Sequence, residues 1–212
     1  MIRESVVVLD FETSGLSPGF GDRPIEIGAL KIVKGRVVDQ FQSLMNPGFK
    51  VNGFIQGYTG ISNRMLATAP PCEQVMEEFF RFISGQALVA HKASFDSKFL
   101  DLELARLGRA RTGEFACTML TARRVFPSAL NHQLETLVDY LGIPTSGRAH
   151  RALADAQATS ELWLRMLAEI RNTYRLQSIS FETMQRLGKT PKKAVPLFLA
   201  AQAKPKQPAK KT

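Results

Sequence analysis

The chain has 212 residues, 44% of them hydrophobic and 22% charged, an ordinary globular balance that excludes collagen-like and wholly disordered classes and is long enough for one substantial core. Its formal charge of +9 is uneven: Arg186, Lys189, Lys192, Lys193, Lys204, Lys206, Lys210 and Lys211 supply eight cations without one acid after residue 182, leaving 20 cations against 19 acids before it. The body is close to neutral, and the basic end reads either as a segment for a polyanion or as a solubilising one.

The apolar run near the start spans only Val6 to Leu9, far below the roughly 20 residues a membrane span needs, and no signal-peptide pattern is present. A soluble, cytoplasmic protein with no membrane contact is expected. Cys72 and Cys117 stand far apart with no CxxC, which fits neither a disulfide framework nor a zinc ribbon and suits a reducing compartment.

Val6-Val7-Val8-Leu9 is a β-branched run of the kind buried on both faces of a sheet. Ser14 to Gly21 is rich in turn formers. The runs Pro24 to Val33 and Arg36 to Leu44 flank Lys34-Gly35, which predicts a hairpin and an antiparallel meander of three strands. Pro70-Pro71 precedes an amphipathic helix from Glu73 to Ile83 with Gly85 as its stop. Ala87 to Ala90 is a short strand. Ser94 can cap a helix to Leu107, with Phe95, Phe99 and Leu102 on one stripe and Gly108 after it. Further helices are expected at Thr118 to Val125, Gln133 to Leu141 and about His150 to Ile170, with a short helical segment between Phe181 and Leu199. From Lys204 the chain is low-complexity and expected to be mobile. Strands followed by strand–helix alternation indicate an α/β fold around a mixed sheet.

Asp10 and Glu12 follow the first apolar run two residues apart, so on a strand both carboxylates project from one face. Two anions there raise a pKa or recruit a metal, unless the strand simply ends and Glu12 is solvated. Asp96 follows the next apolar strand in the first turn of a helix, where an acid also suits the helix dipole. In open α/β sheets, sites collect beyond the carboxyl ends of strands, and all three acids come from such ends. His150 and Asp155 lie five apart, about 140° around a helix, so they share a site only if His150 sits on the loop entering the helix, a loop that Gly147 would permit. A helix-terminal His and a surface Asp fit the spacing as well. Carboxylates without thiols suit Mg²⁺ or Mn²⁺ rather than zinc. Two such ions about 4 Å apart can clamp a phosphate and activate a water, with an imidazole as base.

The ordered segments Asp10-Phe11-Glu12-Thr13-Ser14-Gly15, Ala90-His91-Lys92-Ala93-Ser94-Phe95-Asp96 and His150-Arg151-Ala152-Leu153-Ala154-Asp155 closely resemble the DEDDh (DnaQ-like) 3′–5′ exonucleases, the group of the proofreading epsilon subunit of bacterial DNA polymerase III. The likeness also runs through Gly21 to Gly28, Tyr58-Thr59-Gly60-Ile61 and Asn131 to Leu137, covering about residues 4–170. It implies a ribonuclease H-like α/β fold: a mixed five-stranded sheet, its first three strands antiparallel, flanked by helices. The implied organisation is an exonuclease domain at 1–175 and a basic extension at 176–212. The implied activity is removal of nucleoside 5′-monophosphates from DNA 3′ ends with two divalent cations, Mg²⁺ or Mn²⁺.

By this resemblance Asp10 bridges both ions, Glu12 and Asp155 hold the one nearer the attacking water, Asp96 supports the other, and His150 is the general base. Thr13, Leu16, Ile61 and Phe95 would meet the terminal nucleotide, although each apolar one could equally be core. Relatives often carry Asn where this chain has Lys92. RNA as substrate, as in ribonuclease T and oligoribonuclease, and a non-catalytic subunit docking on a DNA polymerase or clamp are the alternative expectations; docking on a polymerase subunit through residues 176–200 is also compatible with catalysis.

Overall fold

In the computed structural model, which describes residues 5–145 and 150–203, the run at Val6 lies in β1 (Ser5–Thr13), the middle strand of a sheet ordered β3-β2-β1-β4-β5. Strand β1 pairs antiparallel with β2 (Pro24–Val33), and β2 with β3 (Arg36–Leu44). Strands β4 (Ala87–Ala90) and β5 (Phe115–Cys117) extend the sheet in parallel on the other side. The expected mixed five-stranded sheet with an antiparallel first half is thus present. Lys34 and Gly35 form the predicted turn, with φ of 52° and 78°, the left-handed pair that a two-residue hairpin connection demands.

Alternation along β1 divides the core. Val6 and Val8 belong to a cluster with α5 (Thr118–Val125), α6 (Leu134–Leu141) and α7 (Ala152–Tyr174). Val7, Leu9 and Phe11 belong to a second cluster with α3 (Cys72–Phe82) and α4 (Ser94–Arg106) on the opposite face. Each such buried side chain stabilises the fold by roughly 1.5–3 kcal/mol. Beneath α1 (Gly53–Thr59) and α2 (Asn63–Ala67), two short helices absent from the sequence expectation, a small third cluster holds Ile25, Val51, Ile55, Ile61 and Leu66.

Helix α4 differs from expectation at its start and on its stripe. Lys92 turns the chain in the left-handed region, φ 59°, and Ala93 is already helical, so Ala93 and not Ser94 occupies the cap position and no side chain caps it. Leu102 is exposed while Glu103 is buried. The helix is rotated because the guanidinium of Arg23 grips Glu103 at both oxygens, 3.0 and 2.6 Å, and a buried carboxylate held this way is compensated for its desolvation.

The expected helix from His150 begins two residues later, at Ala152, and continues to Tyr174. Beyond it, α8 (Phe181–Lys189) and α9 (Val195–Gln202) fold back. Together with the connecting residues they deliver Leu176, Ile179, Met184, Leu187, Val195 and Leu199 to the cluster that contains Trp163. Cys72 and Cys117 are both free, and among the described residues no helix is long and apolar enough to cross a membrane. Gly147 and the residues from Lys204 onward lie outside the described residues.

Candidate active site

On β1, the face that carries Val6 and Val8 continues with Asp10 and Glu12. Asp10 stands opposite Gly28 of β2, and Glu12 opposite Glu26. A Cβ at Gly28 would collide with the backbone of Ala152 and Leu153, so the missing side chain is what lets the first turn of α7 settle on the sheet beside Asp10. Glu26, fully buried, fastens that turn: its carboxylate accepts from Arg151 Nη2 at 2.7 Å, Arg151 Nε at 3.0 Å and Ala152 N–H at 3.0 Å. One turn further on, Asp155 faces the carboxylates of β1.

His150 occupies the segment entering α7, in the left-handed region at φ 60°, and its backbone N–H donates to Asp155 Oδ2 at 3.2 Å. The five-residue spacing therefore works as its helical geometry requires, with His150 before the helix and Asp155 on it. Ligand atoms of Glu12, His150 and Asp155 all lie within 4.8 Å of one another. Two further contacts orient the imidazole: Nε2 is 3.4 Å from Glu135 Oε1, and the ring lies on that of Tyr58, with centroids 3.9 Å apart and planes at 28°.

Asp96 reaches the same end of the sheet from the first turn of α4. Strand β4 has ended there, and Asp96 Oδ1 accepts from Phe11 N–H at 3.3 Å. His91, buried just before this turn, is a structural link. Its Nε2 is 3.0 Å from the His132 carbonyl, which can only accept, so Nδ1 accepts from the Thr118 hydroxyl at 2.9 Å. Burial pushes His91 down to about 4, keeping this link neutral.

Electrostatics show how costly the cluster is without a counter-ion. Burial first, then the negative fields of Asp96, Glu12, Asp155 and Glu26, hold Asp10 well above the usual carboxylate range. Burial, reinforced by Asp155 and Glu26, pushes Glu12 up to about 8 despite Arg151. Asp96 is raised to about 7 by burial, against the pull of hydrogen bonds from its own backbone and from Phe11. Asp155 is raised by burial and partly relieved by His150. Arg151, the cation beside them, is engaged by Glu26. Hard oxygen donors with one imidazole and unrelieved negative charge are a donor set that fits divalent cations.

Of the residues expected to meet the substrate, Leu16 is 81% exposed, on the loop that follows β1 and is closed by Ser14 and Arg23, which exchange two hydrogen bonds of 2.9 Å. Thr13 is buried, its hydroxyl donating to the Gly15 carbonyl at 2.6 Å. Phe95 is half-buried against Phe99. Ile61 is different: it is wholly buried in the third cluster and offers no surface to a nucleotide, because Gly60 ends α1 and turns it inward. Glu26, Arg151, Glu135 and Tyr58 were given no role by the sequence. For Glu26 a signal existed, an acid inside the apolar run Ile25-Glu26-Ile27 on the face shared with Glu12.

Residues 7–163 match the exonuclease family. The chain belongs to that family. The match spans the segment from β1 into α7 and includes all four acids and His150, and the DEDDh-type likeness expected from the motifs is borne out. Among curated relatives, a PolC-type DNA polymerase III of Caldanaerobacter subterraneus subsp. tengcongensis is 37% identical over 164 residues, which cover 77% of this chain and 12% of that protein. A DNA polymerase III subunit epsilon-like protein of Rhodobacter capsulatus is 39% identical over 168 residues, 78% of this chain and 24% of the relative. The chain thus spans under a quarter of the length of either. Among solved structures, exonuclease X in complex with 5′-overhanging duplex DNA superposes with a TM-score of 0.68 at 25% identity, covering 86% of this chain and 99% of the other, in keeping with the ribonuclease H-like fold.

Proposed function

We propose that this chain is a metal-dependent 3′–5′ exonuclease that hydrolyses the terminal phosphodiester of single-stranded or frayed DNA and releases nucleoside 5′-monophosphates. The observation that carries this reading is the meeting of Asp10, Glu12, Asp96, Asp155 and His150 at one end of β1, with side-chain atoms of Glu12, His150 and Asp155 within 4.8 Å of one another. Asp10, Glu12, Asp96 and Asp155 would together hold two divalent ions of the Mg²⁺ or Mn²⁺ kind. Bound there, such ions supply Lewis acidity toward water and toward the phosphate oxygens. His150 takes the proton of the attacking water on a ring nitrogen as the new O–P bond forms. The bond from phosphorus to the 3′ oxygen of the preceding nucleotide breaks, and that oxygen is protonated from solvent. Thr13 and Leu16, with Phe95 at the edge, meet the terminal nucleotide by sequence-tolerant contact.

The polymerase names of the relatives support a proofreading role in the cytoplasm beside a DNA polymerase. Residues 1–175 would form the exonuclease domain, and residues 176–200, where Leu197 is exposed, would meet that partner. A gel of end-labelled DNA and RNA, single- and double-stranded, with Mg²⁺, Mn²⁺ and chelator lanes, tests the reading. Mononucleotide release from DNA 3′ ends, abolished by chelator and by Asp10→Ala, is the expected result. Full activity in chelator overturns the metal assignment, and preference for RNA replaces DNA as the substrate.

A further inference from the structure

The contact between Tyr58 and His150 joins α1 to the entrance of α7, across 92 positions of sequence, and nothing in the proposed chemistry requires it. Its geometry is nonetheless that of a built support. Three anchors act on His150: the bond from its backbone N–H to Asp155, the Glu135 carboxylate at Nε2, and the face of the Tyr58 ring at 3.9 Å. The first fixes the backbone, the second the rotation of the ring, and the third its plane. A left-handed non-glycine residue such as His150 persists only where its surroundings over-determine it.

Tyr58 is itself supported from both ends of a short helix. Asn52 caps α1 by accepting from Ile55 N–H at 2.9 Å, Gly60 closes it, and Ile55 and Thr59 are buried. The ring of Phe54, one turn earlier, stacks on Tyr58 with centroids 5.9 Å apart and planes at 11°. Phe54, Tyr58 and His150 therefore form a three-ring ladder whose inner end is the imidazole. The outer rings are solvent-facing, 75% and 49% exposed, which a purely core-building role would not require.

We infer that Tyr58 is a positioning residue that holds the imidazole of His150 in the plane used for proton transfer. The inference rests on the exonuclease reading, in which His150 is the base. Ring-on-ring contacts of this kind carry an effect of about threefold to tenfold in an equilibrium or rate.

The test compares Tyr58→Ala and Tyr58→Phe with the unaltered chain. Hydrolysis of a single-stranded DNA oligomer is measured beside that of the p-nitrophenyl ester of thymidine 5′-monophosphate, both with Mn²⁺. Tyr58→Ala is expected to lower kcat about threefold to tenfold on both substrates with KM nearly unchanged, and Tyr58→Phe, which keeps the ring face, to restore it. Proton spectra of the three histidines give a readout independent of turnover. The ring protons of His150 should lie upfield in the unaltered chain and in Tyr58→Phe, and move downfield in Tyr58→Ala. Unchanged kcat in Tyr58→Ala, a loss confined to KM on the oligomer, or unchanged His150 resonances would each overturn the inference. An unaltered chain that cleaves neither substrate defeats the exonuclease reading instead, and the positioning claim falls with it.

Discussion

Asp10 of β1 and Gly28 of β2 face each other across the sheet, and the space that a side chain at Gly28 would fill is taken by the backbone of Ala152 and Leu153. A glycine on one strand therefore sets how near the helix bearing Asp155 comes to the acid on the next. Gly28→Ala forces the first turn of α7 away. Overpacking against backbone costs about 1–3 kcal/mol, and because the displaced turn carries Asp155 and follows His150, kcat should fall at least tenfold. Urea denaturation alongside kinetics checks both; a fully active variant would show that α7 is free to yield.

The raised carboxylates set a pH dependence for the metal-free protein. Glu12 goes from an ordinary 4.5 to about 8 and Asp96 from 3.8 to about 7. The folded state thus holds protons that the unfolded chain has released, and the contribution of these groups to stability, complete below pH about 4, is lost as pH rises toward 8. In chelator the melting temperature should fall between pH 5 and 8, and Glu12→Gln should flatten the fall. Added Mn²⁺ should raise the melting temperature more at pH 8 than at pH 5, since it competes with protons for the same oxygens. A shift independent of pH would contradict this linkage.

Lys92 carries a conformational cost that another residue would avoid. It is exposed and held at φ 59°, where a side chain with a Cβ is disfavoured by roughly 1 kcal/mol and Asn or Gly is tolerated. Lys92→Asn should raise the unfolding free energy by about 0.5 kcal/mol, and Lys92→Gly by a similar amount after its extra unfolded-state entropy is offset. Equilibrium denaturation resolves the gain; a loss of stability would mean that the lysine makes a favourable interaction outweighing its strain.

Removing everything after residue 175 should unsettle the domain. Helices α8 and α9 and the residues before them bury six apolar side chains against the cluster containing Trp163, worth on the order of 1.5 kcal/mol each before chain entropy is subtracted. The shortened chain should melt at least about 10 °C lower. Removal of residues 204–212 alone should leave the melting temperature where it was. Calorimetry on the two truncations separates them, and equal melting temperatures would mean that α8 and α9 are dispensable to the core.

Much of this architecture was legible because the relevant signals are local. Strand lengths and Lys34-Gly35 announce the hairpin, and the shift from Val6 and Val8 to Asp10 and Glu12 marks both strand and site. The spacing of His150 and Asp155 already meant that the two could share a site only if the histidine preceded the helix. What was hidden depends on partners distant in sequence. Strand β5 is three residues that become a strand only by pairing with β4. Helices α1 and α2 are held by the side chains of Asn52 and Ser62 at their caps, with too few turns to show a period. Leu102 looked like core until the buried pair of Arg23 and Glu103 turned α4 the other way. Ile61 stood in a motif that left it to the nucleotide or to the core, and the turn at Gly60 puts it inside.

The alternation of β1 makes the chemistry sensitive to reading frame at the level of the strand. Inserting a single residue between Leu9 and Asp10 would leave the apolar half of the strand in place and send both acids toward α3 and α4, among Phe79 and Phe99, while Phe11 would move to the face the acids had left. A second inserted residue would restore their facing but displace them along the strand, away from Gly28 and from the turn that bears Asp155. The sheet thus acts as a vernier scale: direction and depth must agree together, and no change of length at this point can correct one without spoiling the other.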